Sequence, residues 1–207
     1  MNFFKELALS TSFPVCLNLL PHYTAAGKPH DSLMNCVEEA LDDGRICSFF
    51  LSDHPAHPQK TPSLQLAEDI LAAGGEPIIS LALTFYDKNT VIEKLQQYCQ
   101  MGVEQFLFVS GEYPAMPDSK QTKPVFDLDC VQLLMLLDEL GISAGLKKSP
   151  ESPNVTGETQ NIVKGCAVSP FKSLESEQVW QYEKLKRKIE MGADFVMTQL
   201  GYDMRKF

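Results

Sequence analysis

The sequence lacks the features that mark several large classes of protein. It has no apolar run long enough to span a membrane, and its first residues contain neither a long apolar region nor a basic start that leads to a cleavage site. With a net charge of -9, it also lacks the basic balance that nucleic acids and anionic membranes require. We therefore expect a cytoplasmic protein whose partners include neither nucleic acid nor a membrane.

Several short motifs are missing as well. The six cysteines are scattered without a CxxC pair, which is typical of a reducing compartment where thiols act as small core residues. The sequence has no phosphate-binding P-loop and no Ser-His-Asp order. His54 and His57 flank a short loop, but no cysteine or carboxylate cluster lies close to them in sequence, so we expect no metal site.

Short apolar runs alternate with amphipathic runs along the chain, and this alternation predicts βα units around a parallel sheet. At 207 residues and 44% hydrophobic content, the chain is long enough for one domain with a sizeable core. Ser63 is expected to cap a helix, and the polar residues 147–160 are expected to form a surface insertion. The predicted strands cover residues 14–20, 46–51, 77–83, 105–109, 162–168 and 193–199. The predicted helices cover residues 33–41, 64–73, 89–101, 126 or 127 to 140, and 175–191.

About six βα units fit a TIM-type β/α barrel, which closes with eight strands. We therefore expect a single domain over residues 1–207 that forms an incomplete barrel and lacks its last two βα units. The chain is then a fragment, or the missing strands come from another chain, or the sheet is open. An open doubly wound sheet is the structural rival, but residues 110–112 do not supply the GxGxxG turn of a dinucleotide site.

Polar residues follow most of the predicted strands, at the end where barrel enzymes carry their sites. Gly111 before Glu112 is the most informative of these positions. Glycine permits the close approach of a flat ligand, and a carboxylate can change the electronic properties of a bound ring. Loops are polar for general reasons too, so each position alone is open to both interpretations. The positions are Asn18, Asp53, Thr84, Asp87, Asn89, Glu112, Ser169, Lys172 and Gln199.

The last predicted strand ends abruptly in polar residues. Residues 195–197 are typical of the buried part of a strand, and Gln199 lies at its exposed carboxyl end, where we expect a ligand contact. The helix before it carries Lys184, Arg187 and Lys188, and their spacing places Lys184 and Lys188 on one face. Such a group suits a diphosphate, and it also suits a solvated helix face, which spacing alone favours.

From about residue 17 to residue 207 the chain resembles the methylenetetrahydrofolate reductases, which are flavin enzymes built on a TIM barrel. The resemblance implies that FAD lies across the carboxyl end of the barrel. It also implies that FAD passes a hydride from NADH or NADPH to 5,10-methylenetetrahydrofolate, which yields 5-methyltetrahydrofolate. The matching stretches are Asp53 with residues 63–67, Thr84 with residues 87–89, residues 106–112, residues 165–171 and residues 184–199.

The resemblance also implies roles for individual residues. Glu112 is similar to the acidic residue near the flavin and folate, and Gln199 is similar to the glutamine that contacts substrate. The cationic helix corresponds to the region that binds the flavin's ribose and phosphates, and this favours the diphosphate interpretation. The cofactor contacts implied in this way are Thr84, Ser110, Gly111, Ala167, Ser169, Lys184, Arg187 and Lys188.

Two departures set the chain apart from the family pattern. Asn18 stands where the family carries the glutamate that acts as general acid, and asparagine cannot donate a proton by ionising. Ala82 stands where a histidine contacts the flavin. The leading hypothesis is a divergent flavin-dependent reductase of folate one-carbon metabolism, and the alternative is a noncatalytic flavin- or folate-binding homologue that acts as an interaction subunit. Unpaired strand edges favour a homo-oligomer or a partner subunit.

Overall fold

The computed structural model describes residues 15–19, 29–53, 62–111, 123–141, 162–203 and 205. Within these residues one sheet contains β1 (Val15–Leu19), β2 (Ile46–Asp53), β3 (Glu76–Ala82), β4 (Gln105–Val109), β5 (Val163–Val168) and β6 (Phe195–Thr198). The helices between these strands are α1 (Pro29–Asp43), α2 (Ser63–Ala72), α3 (Lys88–Gln100), α4 (Cys130–Glu139) and α5 (Glu175–Glu190). A short 3-10 turn, Leu83–Phe85, follows β3 directly.

Neighbouring strands all run parallel, and their spatial order repeats their order along the chain. A doubly wound sheet reverses its strand order at a switch point, whereas a barrel keeps adding strands in one direction. The described residues therefore form an incomplete TIM-type β/α barrel, as the sequence predicts. All of these strands end on the same side, which we call the carboxyl rim.

The main core lies between the sheet and the helices. Alternate residues of each strand face the helices, because successive side chains of a strand point to opposite faces. This layer includes the fully buried residues Phe49, Leu51, Leu66, Ile70, Ile79, Leu81, Phe106, Phe108 and Leu133. Phe50 faces the opposite, inner side of the sheet, and Asn18 shares that side because it is the register partner of Phe50.

Both edges of the sheet are exposed in the part of the chain that the structure describes. β1 pairs only with β2, and β6 pairs only with β5. Helix α5 has no buried residue, and the apolar side chains of Trp180 and Leu200 are 63% and 81% exposed. In a closed barrel the neighbouring βα units cover such surfaces.

Several helix starts differ from the prediction: α1 begins four residues early, at Pro29, and α2 and α3 each begin one residue early. The helix expected from residue 126 or 127 begins at Cys130, because Asp129 and Gln132 form a capping box in which each side chain bonds to the other's backbone N–H. Phe126 has a φ of 57°, which a right-handed helix does not contain. Ser63 is the first residue of α2 and makes no cap. Its hydroxyl lies 2.8 Å from the hydroxyl of Tyr98 instead.

Some predictions fall outside the described residues, namely the surface insertion at residues 147–160, the role of Glu112, and the loop with His54 and His57. Within the described ranges, no helix is both long enough and apolar enough to cross a membrane. In that same part of the chain, no three His, Cys, Asp or Glu side chains come together as a metal site.

Cysteine side chains occupy both the core and the surface. Cys130 and Cys166 are buried and Cys99 is partly buried, whereas Cys36 is exposed on α1. Burial raises the pKa of Cys99 to about 11 and that of Cys130 to about 12. At pH 8 these two thiols are therefore almost entirely protonated, and the protonated form is unreactive.

We expect brief treatment of the native protein with iodoacetamide at pH 8 to modify Cys36 at least about tenfold faster than Cys99 or Cys130, because the thiolate is the reacting form. Peptide mass spectrometry over a time course measures the rates. The same reaction in guanidinium chloride gives the reference for exposed thiols. Equal rates for Cys36 and Cys130 in the native protein would be incompatible with the packing of α4.

Candidate functional site

The first part of the carboxyl rim is built where β3 and β4 end. Thr84, in the turn after β3, donates its N–H to Ser110 O over 3.0 Å. Thr84 O accepts from the N–H groups of Val125 and Phe126, at 2.7 and 3.1 Å. The backbone of Thr84 thus connects three segments of the rim, while its side chain is only 5% exposed.

Gly111 packs closely against the same turn. Its φ of +89° is a left-handed conformation that favours glycine. A Cβ added at this position would lie 3.1 Å from Ala82 Cβ and 3.5 Å from the ring of Phe85. Ala82 and Phe85 are both buried and fill the side of Gly111 on which a Cβ would lie, so only glycine fits here without displacing them.

The second part of the rim is built where β5 and β6 end. Gln199 N donates to Val168 O at 2.9 Å, which extends the pairing of the two strands. The hydroxyl of Ser169 donates to Gln199 Oε1 at 2.8 Å, and this bond orients the exposed Gln199 side chain. Since the carbonyl oxygen of that side chain is engaged, its NH2 group is the part that can donate to a ligand.

The three cations predicted to bind phosphates on α5 are not equivalent. Lys184 and Arg187 are exposed. Lys188 is partly buried, and its ammonium group donates to Ala167 O at 2.7 Å. This bond anchors α5 to the end of β5, so Lys184 and Arg187 are the two cations of the set that face solvent.

Asn18 and Glu112 complete the predicted set. Asn18 is exposed on the inner face of β1, at the opposite edge of the described sheet from β6. The role of Glu112 stays a prediction, because this residue lies outside the described ranges. The structure brings the following predicted residues to the adjacent ends of β3, β4, β5 and β6: Thr84, Ser110, Gly111, Ala167, Ser169, Lys188 and Gln199.

Behind the rim lies a buried polar cluster that centres on Asp53, the last residue of β2, which is 6% exposed. Its Oδ1 accepts from Tyr86 Oη at 2.6 Å. Its Oδ2 accepts from Tyr98 Oη at 2.8 Å and from Lys94 Nζ at 2.9 Å. With Ser63, whose hydroxyl contacts Tyr98, these residues form what we call the Asp53 cluster.

The donors of the Asp53 cluster compensate its buried charge. Lys94 forms an ion pair with Asp53, and its Nζ lies 5.0 Å from the centre of the Tyr86 ring. Burial raises the pKa of Tyr86 and of Tyr98, and the Asp53 carboxylate raises both further. Both phenols therefore stay protonated and donate to Asp53.

Sequence reasoning identified Asp53 as a polar residue at a strand end and grouped it with residues 63–67 in the family resemblance, but it missed Tyr86, Lys94 and Tyr98. The three donors lie 33, 41 and 45 residues further along the chain. No local pattern links residues at such separations. The helical spacing of Lys94 and Tyr98, which places both on one face of α3, was the available signal.

Comparisons with known proteins give one family match and several structural similarities. No curated protein matches the chain. A structure of Mycobacterium tuberculosis tryptophan synthase in space group F222 is similar at 12% identity and a TM-score of 0.49, over 95% of this chain and 65% of that one. An open form of that enzyme with BRD0059 bound is similar at 14% identity and a TM-score of 0.48, over 95% of this chain and 68% of that one. The chain thus spans about 65% of the length of the first of these structures.

The family match covers most of the chain. The sequence profile of methylenetetrahydrofolate reductase matches residues 51–207. This range starts inside β2 and includes the ends of β2 to β6, so every predicted rim residue except Asn18 lies within it. The chain therefore belongs to the methylenetetrahydrofolate reductase family.

Proposed function

We propose that this protein is a flavin-dependent reductase of folate one-carbon metabolism. It reduces 5,10-methylenetetrahydrofolate to 5-methyltetrahydrofolate, with NADH or NADPH as electron donor. The observation that carries the proposal is the family match over residues 51–207. The carboxyl rim supports it, because most of the predicted cofactor positions lie at or near the ends of adjacent strands.

A flat ring such as that of FAD suits the ends of β3 to β6. Glycine at residue 111 lets the backbone pack closely on Ala82, and the neighbouring Ser110 is exposed at the rim. Ser169 and the side-chain amide of Gln199 stand at the next strand ends and suit the polar edge of such a ring. FAD, when bound, accepts a hydride from the reduced nicotinamide and delivers it to the folate.

The diphosphate of FAD suits Lys184 and Arg187, the exposed cations of α5. A guanidinium group binds phosphate oxygens through paired hydrogen bonds, and an ammonium group adds a point charge. Lys188 uses its ammonium group on Ala167 O. We infer that Lys188 contributes to cofactor binding by holding α5 in place beside the diphosphate.

The proposed reaction also takes up one proton: the hydride adds to the bridging methylene carbon, the bond from that carbon to one of its two nitrogens breaks, and the released nitrogen takes the proton. Asn18 cannot supply this proton by ionising. Glu112 follows Gly111 directly in sequence. We propose Glu112 as the acidic residue beside the flavin and the folate.

Purified protein reconstituted with FAD is expected to show the visible absorption bands of a bound flavin. Anaerobic addition of NADH or NADPH bleaches these bands, and 5,10-methylenetetrahydrofolate restores them. Stopped-flow absorbance measures the two half-reactions separately. Protein that retains no flavin after reconstitution would rule out the proposed function.

A pair of glycine substitutions tests the position of the flavin through the Kd of FAD. Gly111 and Gly102 have φ values of +89° and +98°, so alanine strains each backbone by about 1–2 kcal/mol. A Cβ at Gly102 meets nothing within 4 Å, whereas one at Gly111 lies 3.1 Å from Ala82 Cβ and so displaces the backbone of the rim. We expect Gly111→Ala to raise the Kd of FAD about tenfold and Gly102→Ala to leave it unchanged.

We expect the double substitution of Lys184→Gln and Arg187→Gln to raise the Kd of FAD about tenfold or more. The Kd of riboflavin should stay the same, because riboflavin has no diphosphate. Lys186→Gln is the control for loss of positive charge, since it removes one charge from the side of α5 that faces away from Lys184; each single substitution, Lys184→Gln and Arg187→Gln, is compared with it. Fluorescence titrations with both flavins measure the effect, and an equal loss of affinity for FAD and riboflavin would argue against a diphosphate contact.

The second candidate function is a noncatalytic flavin- or folate-binding homologue that acts as an interaction subunit. Asn18 favours this alternative. It is exposed on the inner face of β1. By resemblance it corresponds to the family's general acid, and asparagine cannot ionise.

Under this alternative, the native protein binds flavin without turnover, and Asn18→Glu creates reductase activity. Asn18→Gln has the length of glutamate without an ionisable proton, so it serves as the control. Steady-state NADH oxidation in the presence of 5,10-methylenetetrahydrofolate measures the activity. Turnover by the unmodified protein, which our leading proposal predicts, eliminates the alternative.

A further inference from the structure

The Asp53 cluster has two arms that reach different parts of the fold. Tyr86 directly follows the turn Leu83–Phe85, so the bond from Tyr86 Oη to Asp53 holds this turn. Tyr98 lies in α3, and its hydroxyl contacts both Asp53 and Ser63 at the start of α2. The Tyr86 arm therefore reaches the carboxyl rim, and the Tyr98 arm connects two helices to β2.

The turn that Tyr86 holds is in direct contact with the proposed flavin surface. Thr84 N donates to Ser110 O at 3.0 Å. The ring of Phe85 packs against Gly111, 3.5 Å from the position of an added Cβ. A movement of the turn therefore displaces the backbone of residues 110–111.

The two oxygens of the Asp53 carboxylate have different partners. Oδ1 accepts from Tyr86, while Oδ2 accepts from Tyr98 and Lys94. Loss of the Tyr86 hydroxyl leaves the other two bonds in place, so the buried charge of Asp53 stays compensated. The connection to the rim can thus be removed without exposing an unpaired charge in the core.

We propose that Asp53 is a positioning residue that acts through Tyr86, holds the turn Leu83–Phe85 against residues 110–111, and so sets the affinity of the rim for flavin. The part that concerns flavin rests on the proposed function. A purely structural role would act through global stability, so each substitution would weaken FAD binding in proportion to the stability that it removes. The positioning role makes the order of the rim depend on Tyr86 and not on Tyr98.

Tyr86→Phe and Tyr98→Phe form a matched pair, since each removes one buried phenol oxygen and keeps the ring. The first measurement is amide hydrogen exchange in the flavin-free protein. We expect the Thr84 amide to exchange at least about tenfold faster in Y86F and at the wild-type rate in Y98F. Rates are taken relative to the amide of Val163, which bonds to Glu104 O at the start of β5, at the opposite end of the strands from the turn.

The second measurement is the affinity for FAD. We expect the Kd to rise about tenfold in Y86F and to stay within about twofold of the wild-type value in Y98F. Wild-type affinity in Y86F, or equal weakening in the two variants, overturns the inference. Asp53→Asn, which weakens both arms at once, should reproduce the loss seen in Y86F.

The two measurements separate the failure of this inference from that of the proposed function. If the unmodified protein binds no FAD, while the Thr84 amide is deprotected in Y86F alone, the proposed function fails and the positioning of the turn by Asp53 is upheld. If the Thr84 amide exchanges at the same rate in Y86F as in the wild type, the positioning role is wrong whatever the flavin result.

Discussion

Parallel pairing of the strands in chain order is the constraint on which the rest of the structure depends. Each strand must return in the same direction through a connecting segment, so all strand ends face one rim. Positions near residues 84, 110, 168 and 199 meet there although long stretches of sequence separate them. One face of the sheet is covered by helices and forms the apolar core, and the rim keeps its small and polar residues. The fold thus separates the residues that stabilise it from those proposed to bind ligands.

The Asp53 cluster connects these two parts. An unpaired carboxylate between the sheet and the helices would be costly, and three donors compensate it. Two of the donors lie on α3, while Tyr86 belongs to the segment between β3 and α3. A contact that stabilises the helix layer therefore also fixes the turn that packs against Gly111.

The sequence predicts those features that neighbouring residues determine, and it does not predict those that depend on residues far apart in the chain. β4 has the predicted bounds, because a continuous apolar run ends in a polar residue at Ser110. The predicted start of α4 was wrong, because the capping box of Asp129 begins the helix at Cys130 and the apolar residues before it do not extend the helix. The strand-end positions of the site follow from the fold class. The separate roles of Lys184 and Lys188 do not, because only the distance from Lys188 to Ala167 O distinguishes two residues on one helix face.

The central claim is that a flavin binds at the carboxyl rim, across the ends of β3 to β6. A crystal structure of the protein grown with FAD tests this claim most directly. The account predicts the flavin ring within about 4 Å of Gly111 and Ser169, with the diphosphate beside Lys184 and Arg187. FAD bound at the amino ends of the strands, or on the helix-facing side of the sheet, would contradict it.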